Sequence, residues 1–71
     1  SEETRIYPNP TSAHVNILSP SENTLQIMDV FGKSYRNQNI SEGLNTIDVA
    51  DLSAGILIFK IGDQVQKILK N

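Results

Sequence analysis

The chain contains no cysteine and no tryptophan, and only one histidine. Without cysteine there is no disulfide to staple the fold and no thiolate nucleophile, so cohesion has to come from apolar faces. A single histidine, with no nucleophile set beside a base, leaves no acyl-transfer or hydrolytic constellation, and the chain reads as a non-enzyme. Aromatic residues are also scarce: Tyr7, Phe31, Tyr35 and Phe59 are the whole set. Carbohydrate platforms need exposed rings, and some of these four are required for packing. No apolar run approaches the roughly 20 residues that a membrane-spanning helix needs. Basic excess is lacking too: 6 Lys and Arg stand against 8 Asp and Glu, a formal net charge of −2. A nucleic-acid surface would need a basic stripe. Calcium would need about 6–8 oxygens converging from a dedicated loop, whereas Asp48, Asp51 and Asp63 stand apart in separate loops. His14 reads as a solvated side chain on the polar face of a strand. No metal or cofactor is expected. The Asn39-Ile40-Ser41 triplet matches a glycosylation sequon, but so short a match arises by chance.

What the chain does have is short β-strands. Its 71 residues suffice for one domain with a thin core, since a chain of this size buries only about 60% of its unfolded surface. Arg5-Ile6-Tyr7 reads as a first strand, ended by Pro8 and Pro10, which offer no N–H to a ladder. Residues 13–19 alternate, with Val15 and Ile17 inward. Residues 24–28 do the same with Leu25 and Ile27. Asp29-Val30-Phe31-Gly32 fits a type I turn leading into a glycine bulge. A partner strand over 33–38 follows, with Tyr35 as its main apolar body. A turn is expected over 39–43, then a strand over 44–49 with Ile47 and Val49 inward. Asp51-Leu52-Ser53-Ala54-Gly55 reads as a tight connection whose Leu52 plugs the bottom of the core.

Residues 56–61 are the most apolar run and the expected central strand, with Lys60 as a gatekeeper against aggregation. Gly62-Asp63 is a two-residue hairpin signal. In the last element, 64–70, Val65, Ile68 and Leu69 fit a helix, and Val65 with Leu69 fits a strand; the hairpin signal favours the strand. Seven or so short strands at this spacing predict an all-β, antiparallel β-sandwich. Residues 1–4 read as the remnant of a linker, without a signal-peptide pattern, and 5–71 as the domain.

Four motifs punctuate these strands in a fixed order: Tyr7-Pro8-Asn9-Pro10; Asp29 to Lys33, closed by Gly32; Asp51 to Gly55; and a basic end with Lys67 and Lys70. Each is weak alone. In this order and spacing they resemble the C-terminal sorting domain of proteins exported by the type IX secretion system of Bacteroidetes. The resemblance runs from about Ile6 to Lys70. It departs from the family's habit at Ser53, often proline there, and at Leu57, often aromatic.

The resemblance implies an Ig-like β-sandwich that serves as a folded secretion signal. It further implies a fused N-terminal cargo domain carrying its own export leader. The expected partners are the outer-membrane translocon, its shuttle proteins and a cell-surface sortase that removes the domain. The cargo then passes through the periplasm and outer membrane and is secreted or held at the cell surface. The expected signal residues are Tyr7, Pro8, Asn9, Pro10, Asp29, Gly32, Asp51, Leu52, Gly55, Lys67 and Lys70. Each has a plainer reading beside it. The prolines protect a sheet edge, Asp29 and Gly32 make a turn, and Gly55 sits where a side chain would clash or where φ is positive. The lysines are solvated charges that discourage edge pairing. Exposed edge strands would also allow a homodimer. The alternative reading is a small carbohydrate-binding or adhesin-type sandwich.

Overall fold

The computed structural model describes residues 4–8 and 11–71. Seven strands follow one another: β1 (Arg5–Tyr7), β2 (His14–Ser19), β3 (Asn23–Met28), β4 (Ser34–Ile40), β5 (Gly43–Asp48), β6 (Gly55–Ile61) and β7 (Gln64–Lys70). They form a three-stranded sheet in the order β1-β2-β5 and a four-stranded sheet in the order β4-β3-β6-β7. All named pairings are antiparallel. Lettered along the chain as A, B, C, C′, E, F and G, these are the A-B-E and C′-C-F-G sheets of an Ig-like sandwich. The fold is therefore the all-β sandwich expected from the strand spacing.

The core is built by alternation. Ile6, Val15, Ile17 and Ile47 face inward from one sheet, and Leu25, Ile27, Ile40, Leu57, Phe59, Ile61 and Ile68 from the other; Val49 joins them just past β5. Phe59 is the largest fully buried side chain. It sits on β6, between β3 and β7, where the apolar run predicted a central strand. Leu52 packs against this core from the β5–β6 connection, as anticipated.

Three sequence expectations are corrected. β4 extends to Ile40, which is buried, while Tyr35 lies on the exposed side. The pairing of β3 with β4 shifts register at Ile27/Met28, and that bulge changes which side chains of β4 face the core. The connection to β5 is accordingly shorter than 39–43, since β4 ends at Ile40 and β5 begins at Gly43. The last element is a strand, but Ile68 faces the core and Val65 and Leu69 face solvent. The two-residue Gly62-Asp63 turn pairs Ile61 with Gln64, which puts Ile68 opposite Leu57 on the inner face. Lys70 is buried, not solvated.

Candidate recognition surface

Where do the four motifs lie? Tyr7 ends β1, half exposed and paired with Asn16, and Pro8 follows it at the surface. Asn9 and Pro10 lie outside the described residues. The chain continues at buried Thr11, which has left the first sheet and bridges β7 in parallel, opposite Lys70. Its N–H donates to the Leu69 carbonyl at 2.9 Å, and its own carbonyl accepts from the Asn71 N–H at 2.8 Å. Its hydroxyl donates to the His14 carbonyl at 2.6 Å. Tyr7 thus closes a strand of the first sheet, and Thr11 stands at the edge of the other, against the end of β7 and Lys70.

Asp29 organises the β3–β4 turn. Its carbonyl accepts from the Gly32 N–H at 3.1 Å. Its Oδ1 accepts from the Phe31 and Lys33 N–H groups at 2.8 and 2.9 Å. Gly32 has φ +88°, a left-handed conformation that glycine adopts without strain. The carboxylate is committed to holding its own turn, as the type I pattern predicted.

In the β5–β6 connection, the Leu52 N–H donates to the Val49 carbonyl at 3.0 Å, closing the turn that aims Leu52 at the core. Gly55 opens β6 opposite Lys70. Its φ is +130°, and nothing lies within 4 Å of where a Cβ would stand. Of the two reasons anticipated for glycine here, backbone conformation is the one that applies. Gly55→Ala is expected to lower stability by about 1–3 kcal/mol through backbone strain, read as a drop in the urea midpoint of the isolated chain. An unchanged midpoint would show that the connection can rearrange without cost.

Arg36 was not anticipated from the sequence. It lies on β4 opposite Ile27 and reaches across to the β5–β6 connection. Its Nη1 donates to the Asp48 carbonyl at 2.5 Å, and its Nη2 meets the Asp51 carboxylate at 3.2 Å. One side chain therefore ties the edge of the four-stranded sheet to the connection between the sheets. Asp51 is largely exposed, so the ion pair itself is worth no more than about 1 kcal/mol. The carbonyl bond and the packed stem of Arg36 add to it. Arg36→Ala is expected to cost about 1–2 kcal/mol, and Asp51→Asn less than about 1 kcal/mol. Equal costs in urea melts would contradict this division.

The pairings bring these pieces to one pole of the sandwich. β3 ends there at Met28, opposite Ile58 near the start of β6. Gly55 and Lys70 are partners, Thr11 bridges Lys70, and the Val49 N–H donates to Ala13 at 2.7 Å. Thr11, the Asp29 turn, the Gly55 connection and the end of β7 are neighbours in space although they span most of the sequence. Lys67 lies on the outer face of β7, opposite Ile58. Among the described residues no cluster of His, Asp or Glu could hold a metal, and no helix is long and apolar enough to cross a membrane.

A family model, described as the secretion system C-terminal sorting domain, matches residues 5–71. The chain belongs to that family. It is a type IX secretion C-terminal sorting domain, and the family is one of sorting signals, not of catalysts. No curated protein and no solved structure matches significantly. A protein carrying this signal engages the type IX machinery and is exported, to be secreted or attached to the cell surface.

Proposed function

We propose that this sorting domain delivers a fused N-terminal cargo to the outer-membrane translocon and its shuttle proteins, and that a cell-surface sortase then cuts it away. Residues 1–4 serve as the remnant of the linker to the cargo, and residues 5–71 as the signal. The observation that supports this reading best is that Thr11, the Asp29 turn, the Gly55 connection and Lys70 meet at one pole of a folded sandwich. Such an address is legible only once the chain has folded. In this reading Asp29, Gly32, Leu52, Gly55 and Lys70 maintain the pole, as do Tyr7 and Pro8. Lys67 is the member that meets the machinery. The outer edge of β4 is available for strand addition, either to a receptor or to a second copy.

The test is a fusion. Residues 1–71 are joined to the C-terminus of a reporter that carries an export leader to the periplasm. The fusion is expressed in a bacterium with a working type IX system and in a translocon mutant. The expected result is reporter on the surface or in the medium of the working strain alone, with the domain removed from it. Reporter retained in the periplasm of both strains, with the domain folded, would sink the proposal. Export without removal would sink the sortase step alone.

A further inference from the structure

An unpaired strand edge is a template for another strand, and folded proteins blunt their edges with short strands, prolines, charges or covering loops. Among the described residues the edge strands of this sandwich are β1 and β5 in one sheet and β4 and β7 in the other. β1 has only three residues and runs into Pro8. The end of β7 is bonded to Thr11. On β5 the Asp48 carbonyl already accepts from Arg36. β4 is seven residues long, contains no proline, and has no backbone neighbour beyond it. Its one charged residue, Arg36, is held on its own chain by Asp51 and the Asp48 carbonyl.

Alternation shows which groups β4 leaves unpaired. The Asp29 N–H donates to the Lys33 carbonyl at 2.9 Å, so Asp29 turns its main chain towards β4. Counting back along β3, Ile27 and Leu25 do the same. Gln38, opposite Leu25, is therefore hydrogen-bonded within the sheet, and its neighbours Asn37 and Asn39 turn their N–H and C=O groups to the open side. Both side chains are exposed.

This edge is complementary to itself. A two-fold axis beside Gln38 sets Asn37 opposite Asn39 of a second copy and Asn39 opposite its Asn37, each pair exchanging both main-chain hydrogen bonds. The side-chain amides that then lie side by side both donate and accept, so they suit their own kind. The next pair sets Arg36 against Ile40, without opposition of like charge. The equivalent pairing of β5, about Asn45, sets Asp48 against Glu42 of the copy, two like charges directly opposed. We infer that a second copy of this chain pairs with the β4 edge, antiparallel about Gln38, to form a dimer. The contact uses the same edge of both copies, so it ends at two chains and builds no fibre. Such a dimer is independent of the sorting-signal reading: either holds without the other.

The test is self-association of residues 1–71 by sedimentation equilibrium over a dilution series, where a monomer–dimer equilibrium is expected. Asn39→Pro removes an N–H that faces the open side and leaves the ladder to β3 intact. It should keep the β circular dichroism and weaken the dimer about tenfold or more, since one bond is lost from each copy. Gln38→Cys reads the register. Its pair across the axis is of the non-hydrogen-bonded kind, with Cα atoms about 4.5 Å apart, within the reach of a disulfide. The chain has no other cysteine, so air oxidation should link Gln38→Cys into a dimer well ahead of Val65→Cys on the β7 edge. A monomer at every concentration, a dimer untouched by Asn39→Pro, or equal oxidation of the two cysteine variants would each overturn the inference. So would a photo-crosslinking residue at Asn37 that, in exporting cells, joins an envelope protein and never a second copy, which would assign the edge to a receptor.

Discussion

Phe59→Ala is expected to unfold this domain, whereas Phe31→Ala is expected to leave it standing. Phe59 is fully buried on β6 and is the one aromatic ring in the core. Truncating a buried phenylalanine costs about 3–5 kcal/mol, part of it lost transfer free energy and part the cavity left behind. A chain of this length has on the order of 4–10 kcal/mol of stability in total. The substitution therefore removes a large share of what holds the sandwich together, and no disulfide is present to compensate. With a urea slope near 1 kcal/mol/M, as small proteins show, the midpoint should fall by about 3 M or more. Phe31 is almost entirely exposed, and a surface truncation of that kind changes stability by no more than about 0.5 kcal/mol. Comparable shifts for the two variants would contradict the assignment of Phe59 to the core and Phe31 to the surface. Phe59→Ala is expected to lose export as well, because the address is never built.

Deleting residues 64–71 should have the second large effect. β7 contributes Ile68 to the core and covers one long edge of β6. Without it, the Ile56–Ile61 run, rich in β-branched residues and without proline, would face water along an unpaired backbone edge, which is the situation that promotes intermolecular pairing. Thr11 would also lose both of its β7-end partners, the Leu69 carbonyl and the Asn71 N–H. Loss of β circular dichroism, aggregation of the isolated chain and retention of the reporter in the periplasm are expected together. Normal surface export of this truncation would refute the view that the signal is the folded sandwich. Removing residues 70 and 71 alone is a milder cut, because the Thr11–Leu69 bond survives it. That variant should fold with a lowered urea midpoint.

The two deepest corrections to the sequence reading have different causes. In β7 apolar residues occur at Val65, Ile68 and Leu69, so alternation alone allows either face to be the inner one, and a shift of one residue exchanges them all. The deciding information was nevertheless in the sequence. A two-residue turn at Gly62-Asp63 fixes Ile61 opposite Gln64, and even spacing from there carries Ile68 to the face of Phe59. Tyr35 was a different case. It was expected inside because it is the bulkiest apolar residue of its segment, but the bulge at Ile27/Met28 placed Ile40 there instead. No local signal in β4 marks that bulge.

The sequence by itself determined the elements. Strict alternation in β2 and β3, the Asp29–Gly32 turn, the Gly62-Asp63 hairpin and the apolar run of β6 each follow from interactions between residues close along the chain, and the motif order followed with them. Only the tertiary structure decided what those motifs have in common. Thr11 meets Leu69 and Asn71 across nearly the whole length of the chain, Arg36 meets Asp51 across the space between the sheets, and Gly55 meets Lys70 across β6 and β7. Such contacts depend on how two sheets stack and where the chain crosses between them, which no window of neighbouring residues encodes. That is why Lys70, polar by every local rule, ends buried beside Thr11, while Phe31, apolar by every local rule, stands in water.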